Sequence, residues 1–325
     1  MEKILIIGAC GQIGRELTET LRKIHGRENI IASDMRRAED IGQDFQPYLQ
    51  FNVLDRIQLG SILRNYGITQ IYHLAAMLSA KGEKNPQQAW TLNMDGLLHV
   101  LDASVECGIK KIFWPSSIAV FGPDAQKINC PQVNSSIPST VYGISKAAGE
   151  HWCQYYHQTY GLDIRSLRFP GLISYKALPG GGTTDYAVDI FHSAVAGETF
   201  DCFLKADTFL PMMFMEDAIR ATLEIMDAPA EEIRIRTSYN LSAMSFSPEQ
   251  LYSEIREHFP RFKIRYKPDA RQQIADSWPC SVNDTRAMMD WGGIPRYDLA
   301  AMTREMIEQL SSAKSLKRPA DQAEA

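Results

Sequence analysis

The chain has 325 residues, of which 45% are hydrophobic and 22% charged. That is enough apolar matter for a packed core, and it excludes a chain that stays disordered as its main state. Lys plus Arg number 34 against 39 Asp plus Glu, a formal net charge of −5, which argues against broad nucleic-acid binding because that needs a basic face to displace counterions. No apolar run reaches the roughly 20 residues that cross a bilayer, so no membrane partner is expected.

In chain order, Ile4 to Ile7 is a short apolar run stopped by Gly8; it is too short for a signal-peptide core and reads as a strand. A helical pattern follows from Ile13 to Ile24, then a strand ending at Asp34, a strand over Tyr48 to Val53 and a helix over Ile57 to Tyr66. Gln70 to Ala76 reads as a strand, Pro86 to Cys107 as one long helix, Lys111 to Pro115 as a strand, Thr140 to Tyr160 as a helix and Asp163 to Phe169 as one more strand. Strands alternating with helices predict an α/β fold, a Rossmann-type doubly wound parallel sheet. After Pro170 the rhythm changes. A loop over Leu178 to Thr184, helices over Asp185 to Val195 and Met215 to Met226, and a strand over Ser238 to Leu241 returning to the first sheet predict a smaller α+β part. The expected division is 1–173 (with a returning segment of about 215–243) for one unit, 174–214 and 244–310 for the other, and 311–325 as a flexible tail. The six cysteines (Cys10, Cys107, Cys130, Cys153, Cys202, Cys280) form no C-x-x-C pair. They read as reduced thiols of a cytoplasmic protein, with no disulfide framework, and no metal site is expected.

Gly8-Ala9-Cys10-Gly11-Gln12-Ile13-Gly14 spells G-x-x-G-x-x-G between the first strand and the first helix. The first glycine permits a tight turn, the second lets backbone amides approach a pyrophosphate, and the third lets the helix sit close to the sheet. The helix N-terminus, with Gln12 and Ile13, then faces the phosphates. Asp34 lies 20 residues past Gly14 at the end of the next strand, where a carboxylate accepts from ribose hydroxyls and repels a 2′-phosphate. The expected cofactor is therefore NAD rather than NADP, with Met35 and Arg36 beside the same ribose.

Tyr142 and Lys146 are four residues apart in a helical stretch, hence on one face. Taking a proton from an alcohol needs a base, and free tyrosine titrates near about 10; an adjacent ammonium would favour the phenolate. Ser117 follows a strand, so its hydroxyl is expected at the carboxyl end of a parallel sheet, where ligands bind.

Taken together, the glycine turn, Leu74-Ala75-Ala76, Asn93, Ser117-x-x-Val120-Phe121-Gly122 and Tyr142-x-x-x-Lys146 resemble an extended short-chain dehydrogenase/reductase, of the branch that holds the NAD-dependent epimerases and dehydratases. The resemblance runs to about residue 310. It implies Tyr142 as proton acceptor, Lys146 as its activator and a ribose ligand, Ser117 as donor to the substrate oxygen, and Asn93 as holder of a relay water or cap of a helix bend. It further implies that Leu74, Ala75 and Ala76 line the cofactor, that Phe169 and Leu172 stand at its nicotinamide end, and that Asn52 and Val53 take the adenine contact, with Asn52 where the family usually has an Asp. Relatives pair the helices over about 86–107 and 140–160 across a two-fold axis, so a homodimer is expected.

Dehydratases of this branch carry acids just after the catalytic serine or threonine, whereas Ile118 and Ala119 follow Ser117 here. Epimerases grip a nucleotide diphosphate, and Arg234, Arg236, Arg261, Arg265 and Arg271 are available for that. The loop Leu178 to Ala187, the stretch Ala75 to Ala80 and Ser277-Trp278-Pro279 resemble the L-threonine 3-dehydrogenases of this fold. Gly180, Gly182, Thr183, Thr184 and Ser79 would bind a small zwitterion through amides and hydroxyls, with Trp278 as an apolar lid. The expected activity is NAD-dependent oxidation of the 3-hydroxyl of L-threonine to 2-amino-3-oxobutanoate. A sugar-nucleotide 4-epimerase and a non-catalytic NAD-sensing protein are the alternatives.

Overall fold

The computed structural model describes residues 2–42, 45–177 and 180–317; Met1, Gln43, Asp44, Leu178 and Pro179 of the expected loop, and 318–325 of the expected tail lie outside the described residues. The first half runs β1 (Ile4–Ile7), α1 (Gln12–His25), β2 (Ile30–Asp34), β3 (Tyr48–Gln50), α2 (Arg56–Asn65), β4 (Gln70–His73), α3 (Ser79–Gly82), α4 (Pro86–Trp90), α5 (Gly96–Cys107), β5 (Lys111–Phe113), β6 (Ser116–Ser117), α6 (Val141–Tyr160), β7 (Asp163–Arg165) and β8 (Leu167–Phe169). Six of these strands form one parallel sheet in the order β3-β2-β1-β4-β5-β7. β1 explains why its run is apolar throughout. Ile4 and Ile6 face the core that α1 helps to form, Leu5 and Ile7 the core on the other face with α2 and α5. Each such side chain, fully buried, contributes about 1.5–3 kcal/mol. The strand order reverses between β1 and β4, and the crevice outside their carboxyl ends is where such sheets take ligands.

Three expectations are revised. The helix over 86–107 is interrupted by a π-helical turn, Thr91–Asp95, between α4 and α5. The strand over 163–169 breaks at Ser166 into β7 and β8, because the Ser166 hydroxyl meets that of Ser238 at 2.8 Å and its carbonyl accepts from Tyr239 N. For the same reason the strand at 238–241 does not return to the six-stranded sheet: β12 (Tyr239–Asn240) pairs with β8, which pairs with β6.

The second half continues with β9 (Gly171–Ile173), α7 (Tyr186–Ala196), β10 (Thr199–Cys202), β11 (Leu210–Phe214), α8 (Met215–Asp227), β12, β13 (Met244–Phe246), α9 (Pro248–His258), β14 (Lys263–Tyr266), α10 (Arg271–Asp276), α11 (Thr285–Trp291) and α12 (Leu299–Lys317). β11 lies between β9 and β13, and β10 pairs with β14. A third apolar core, with Phe191, Leu251, Trp278 and Met302, gathers α7, α9 and α12. α8 instead joins the core of α1, through Ala218 and Ile225. Residues 311–317, expected in the tail, continue α12. No helix among the described residues is long and apolar enough to cross a membrane.

Candidate active site

α1 starts at Gly11 with no side-chain cap and no acid in its first turn. Its first N–H groups therefore open on the crevice at the positive end of the helix dipole. Gly8 has a φ of 86°, and a Cβ there would lie 2.7 Å from the Ala75 nitrogen. On Gly14 a Cβ would lie 2.3 Å from the Gly8 oxygen. Gly8 thus lets the turn pass under the chain leaving β4, and Gly14 lets α1 sit on that turn. At Gly11 the nearest atom would be 3.3 Å away, so packing demands less there and the side facing the crevice stays open. Asp34 ends β2 with Oδ2 accepting from Cys10 N at 3.1 Å and Oδ1 from Arg36 N at 3.3 Å.

α6 is capped by Thr140, whose hydroxyl accepts from Gly143 N at 3.0 Å. This brings Tyr142 and Lys146, one turn apart, beneath β6. Ser117 Oγ accepts from Ala119 N at 3.2 Å, and its side chain is close enough to the Tyr142 hydroxyl to favour the phenolate. Lys146 Nζ donates to the Pro115 carbonyl at 2.6 Å and stands 4.4 Å from the centroid of the Trp114 ring and 5.7 Å from that of Tyr142. Burial pushes the Tyr142 phenol up to about 12, opposed only by the Ser117 hydrogen bond. Burial also pulls Lys146 down to about 7, opposed by Cys153 and Glu150. In the protein without its cofactor, burial outweighs the help that the Tyr142 phenolate has from its neighbours. Both groups are buried, which favours their neutral forms, and Lys146 Nζ is directed at a carbonyl rather than at the phenol.

Asn93 sits in the π-helical turn and does not line the cavity. Its Oδ1 accepts from Met77 N at 2.8 Å, and its Nδ2 donates to Met77 O at 3.1 Å and Ser145 Oγ at 3.1 Å. It clamps the chain that follows Leu74-Ala75-Ala76 to α6, behind the cavity wall rather than among its lining residues. π-helical turns are often found at functional sites.

One cavity of about 690 Å³ joins these groups. Gly8, Gly11, Gln12, Ile13, Gly14 and Arg36 line one end; Leu74, Ala76 and Ser79 one wall; Ser117, Tyr142, Lys146, Phe169 and Leu172 the middle; and Gly180, Gly182, Thr183, Thr184 and Trp278 the far end. Asp34, Met35, Asn52, Val53 and Ala75 are not among its lining residues. Asn52 is exposed and its Oδ1 accepts from Leu54 N at 3.0 Å, Val53 packs towards Gly96, and the Ala75 backbone backs Gly8. Ser79 Oγ meets Thr183 Oγ1 at 3.1 Å, 104 positions apart.

The sequence reading missed Asp185. Its Oδ2 accepts from Gly181 N at 2.8 Å and Gly182 N at 2.7 Å, and it lines the cavity. The glycine amides expected to receive a ligand carboxylate are therefore held by the chain's own carboxylate, and Gly182 is corrected from ligand to support. Burial pushes the Asp185 carboxyl up, against those two amides. The spacing Gly181-x-x-x-Asp185 was the available signal, an Asp closing a glycine turn on itself. Trp114 was missed as well, though it stands next to Pro115 in the strand that was read.

A model of the NAD dependent epimerase/dehydratase family matches residues 4–242. The chain belongs to the NAD-dependent epimerase/dehydratase family. An uncharacterised epimerase/dehydratase of Staphylococcus saprophyticus is 46% identical over 313 residues, 95% of this chain and 97% of that protein. The holo structure of a GalE-like L-threonine dehydrogenase from Cupriavidus necator is 52% identical with a TM-score of 0.93, covering 95% of this chain and 99% of that one. A monomeric L-threonine 3-dehydrogenase from a metagenome is 47% identical with a TM-score of 0.92, covering 95% and 99%. The family's cofactor is NAD, and the residues present fit it: a glycine cradle that a Cβ would fill, uncapped helix amides for the pyrophosphate, and the Asp34 carboxylate beside them.

Proposed function

We propose that this member of the family is an NAD-dependent L-threonine 3-dehydrogenase. The observation that carries the reading is that Ser79, Thr183, Thr184 and Asp185 bound the same cavity as Ser117 and Tyr142. Its volume of about 690 Å³ lies within the range of a small-molecule site, and its far end is lined by small hydroxyl and carboxylate side chains. Of the five arginines that a sugar nucleotide could use, three are paired with carboxylates: Arg236 with Asp163, Arg265 with Asp201 and Arg271 with Asp269.

When bound, NAD supplies the acceptor for the hydride that leaves C3. The chain's own residues do the rest. Asp185 takes the substrate ammonium, and the Ser79 and Thr184 hydroxyls its carboxylate, which leaves the 3-hydroxyl between Ser117 and Tyr142. Tyr142 Oη removes the hydroxyl proton while the C3–H bond breaks with its electron pair and C3=O forms. Ser117 Oγ donates to that oxygen as charge grows on it. Lys146 would hold a ribose hydroxyl of the bound cofactor, and in its charged form it would favour the phenolate. Trp278, buried at 5% exposure, keeps water from the far end. The product is 2-amino-3-oxobutanoate.

Net NADH absorbance with L-threonine, and none with UDP-sugars, is the expected result. Tyr142→Phe should lower turnover by about 10³-fold, within the range for lost acid–base catalysis, and keep NAD affinity within about threefold. Retained turnover would remove Tyr142 as the base.

α6 bears Trp152, Tyr155 and Tyr160 at 38%, 48% and 52% exposure, and α4, which packs on α6, bears the exposed Trp90. We read these aromatics as the face that joins two copies, although one similar dehydrogenase is described as monomeric. Sedimentation of a single monomeric species would refute this. All six cysteines are unpaired, which supports a reducing, cytoplasmic compartment.

A further inference from the structure

Behind the site lies a buried ion pair that the mechanism above does not use. Glu150, one turn beyond Lys146 on α6, is 4% exposed. Its carboxylate is met from two sides: Arg168 Nε reaches Oε1 at 2.8 Å and Nη2 reaches Oε2 at 2.7 Å, while the Ser116 hydroxyl donates to Oε1 at 2.6 Å. The remaining arm of Arg168, Nη1, donates to the Gln132 carbonyl at 2.8 Å and Asn240 Oδ1 at 3.1 Å. Ser116 is paired in register with Arg168 across β6 and β8, as Ser117 is with Phe169.

Burying such a pair costs several kcal/mol per ion, and apolar residues of equal volume are often as stable or more so. Stability alone therefore does not account for it. Its position does. Glu150 bonds the residue next to Ser117 on one side and shares a helix face with Lys146 on the other. We propose that Glu150 and Arg168 are positioning residues, which fix the strand bearing Ser117 against the helix bearing Tyr142 and set the charge seen by Lys146. The inference rests on the roles proposed above for those three groups.

The charged or titratable groups facing Lys146 are Tyr142, Glu150 and Cys153 from its own helix and His73 from β4, with Arg168 of β8 behind Glu150. Among them Glu150 is the carboxylate, and it favours the ammonium. Removing its charge must lower the titration of Lys146, whereas removing the charge of Arg168 frees Glu150 to act on Lys146 and must raise it. Opposite signs show that both charges reach Lys146, and it is the accompanying movement of the kcat profile that separates a positioning role from a purely structural contact.

The test is NMR titration of the full chain labelled at lysine Cε, free and loaded with NAD, with the Lys146 signal assigned through Lys146→Arg. Glu150→Gln should lower the midpoint by about half a unit or more and Arg168→Met should raise it. With threonine as substrate, Glu150→Gln should also move the half-maximal kcat to higher pH, because a less charged Lys146 favours the phenolate less. Ser116→Ala should leave the Lys146 midpoint unmoved, lower kcat by about three- to tenfold through loss of one hydrogen bond, and leave KM for threonine within about twofold. If one charge variant does not fold, the other still has a required sign. Equal midpoints in all proteins, shifts of the same sign for both charge variants, or a kcat profile that Glu150→Gln leaves unmoved would overturn the proposal. Opposite shifts in a protein that never oxidises threonine would keep the hold of both charges on Lys146 and refute the proposed activity instead.

Discussion

Gly171→Ala tests whether Thr184 touches the substrate, without altering any proposed ligand. Gly171 lies in β9 opposite Met212 of β11. A Cβ on it would sit 2.2 Å from Met212 Sδ and 2.8 Å from Thr184 Cβ. To restore an ordinary contact of 3.4 Å, the sulfur must retreat by about 1.2 Å and Thr184 by about 0.6 Å, in an interior packed too densely to absorb either freely. Overpacking of this kind costs about 1–3 kcal/mol, offset by about 0.5–1 kcal/mol from the reduced freedom of the unfolded chain. The fold should survive with a lower melting temperature. A hydroxyl displaced by that distance loses most of one hydrogen bond, about 0.5–1.5 kcal/mol. KM for L-threonine should therefore rise about three- to tenfold with kcat within about twofold, the pattern of lost uniform binding. Initial rates of NADH formation give both constants, and a fluorescence titration gives the NAD affinity, which should not change. A lower melting temperature with an unchanged KM would show that Thr184 belongs to a hinge and not to the substrate site.

Asp185→Asn keeps an oxygen for the Gly181 and Gly182 amides but loses the charge proposed to take the ammonium. KM should rise by at least about tenfold, or about 1.4 kcal/mol; steady-state kinetics showing less than a twofold change would exclude the assignment. Asp34→Asn keeps the shape beside Cys10 and Arg36 and removes the repulsion of a 2′-phosphate. The ratio of kcat/KM with NADP to that with NAD should rise by about tenfold, and an unchanged ratio would place discrimination elsewhere. His73 is buried with neither ring nitrogen hydrogen-bonded, and burial, together with Lys146, holds its pKa at about 3 against an ordinary 6.5. As pH falls below 6.5 the unfolded chain takes up a proton that the folded chain refuses, so stability is lost through that window. Urea unfolding at about pH 7.5 and about pH 5 should show a loss near 2 kcal/mol that His73→Leu removes; an equal loss in the variant would clear His73.

The parts of this molecule that could be read from the sequence are those set by neighbours along the chain. Ile4 to Ile7 alternate between two cores, and a strand buried on both faces is apolar throughout. Gly8 and Gly14 are forced by contacts within one strand-turn-helix unit and the adjoining chain. Tyr142 and Lys146 share a helix face by spacing alone. The break at Ser166, the Asn93 clamp on Met77, the Ser79–Thr183 contact and the Glu150–Arg168 pair have no such period. Each joins elements that meet only once the sheet is formed, and the partners are ordinary polar residues in the sequence.

Asp185 shows what that difference means for specificity. From the loop, the glycine amides read as a receptor for a carboxylate. In the fold they are satisfied by Asp185 itself, which reverses the charge presented at the end of the cavity. Both amides fall on its Oδ2, and burial raises the carboxyl's titration. An ammonium placed there relieves that penalty through a charge-assisted hydrogen bond. A sugar hydroxyl relieves it only in part, and a diphosphate would add repulsion. On this argument the loop selects an amino alcohol by its cation. Threonine methyl ester should therefore retain part of the rate, whereas 3-hydroxybutyrate, which keeps the carboxylate and lacks the amine, should not be turned over. The reverse order in a substrate panel would return the glycine amides to the role first read from the sequence.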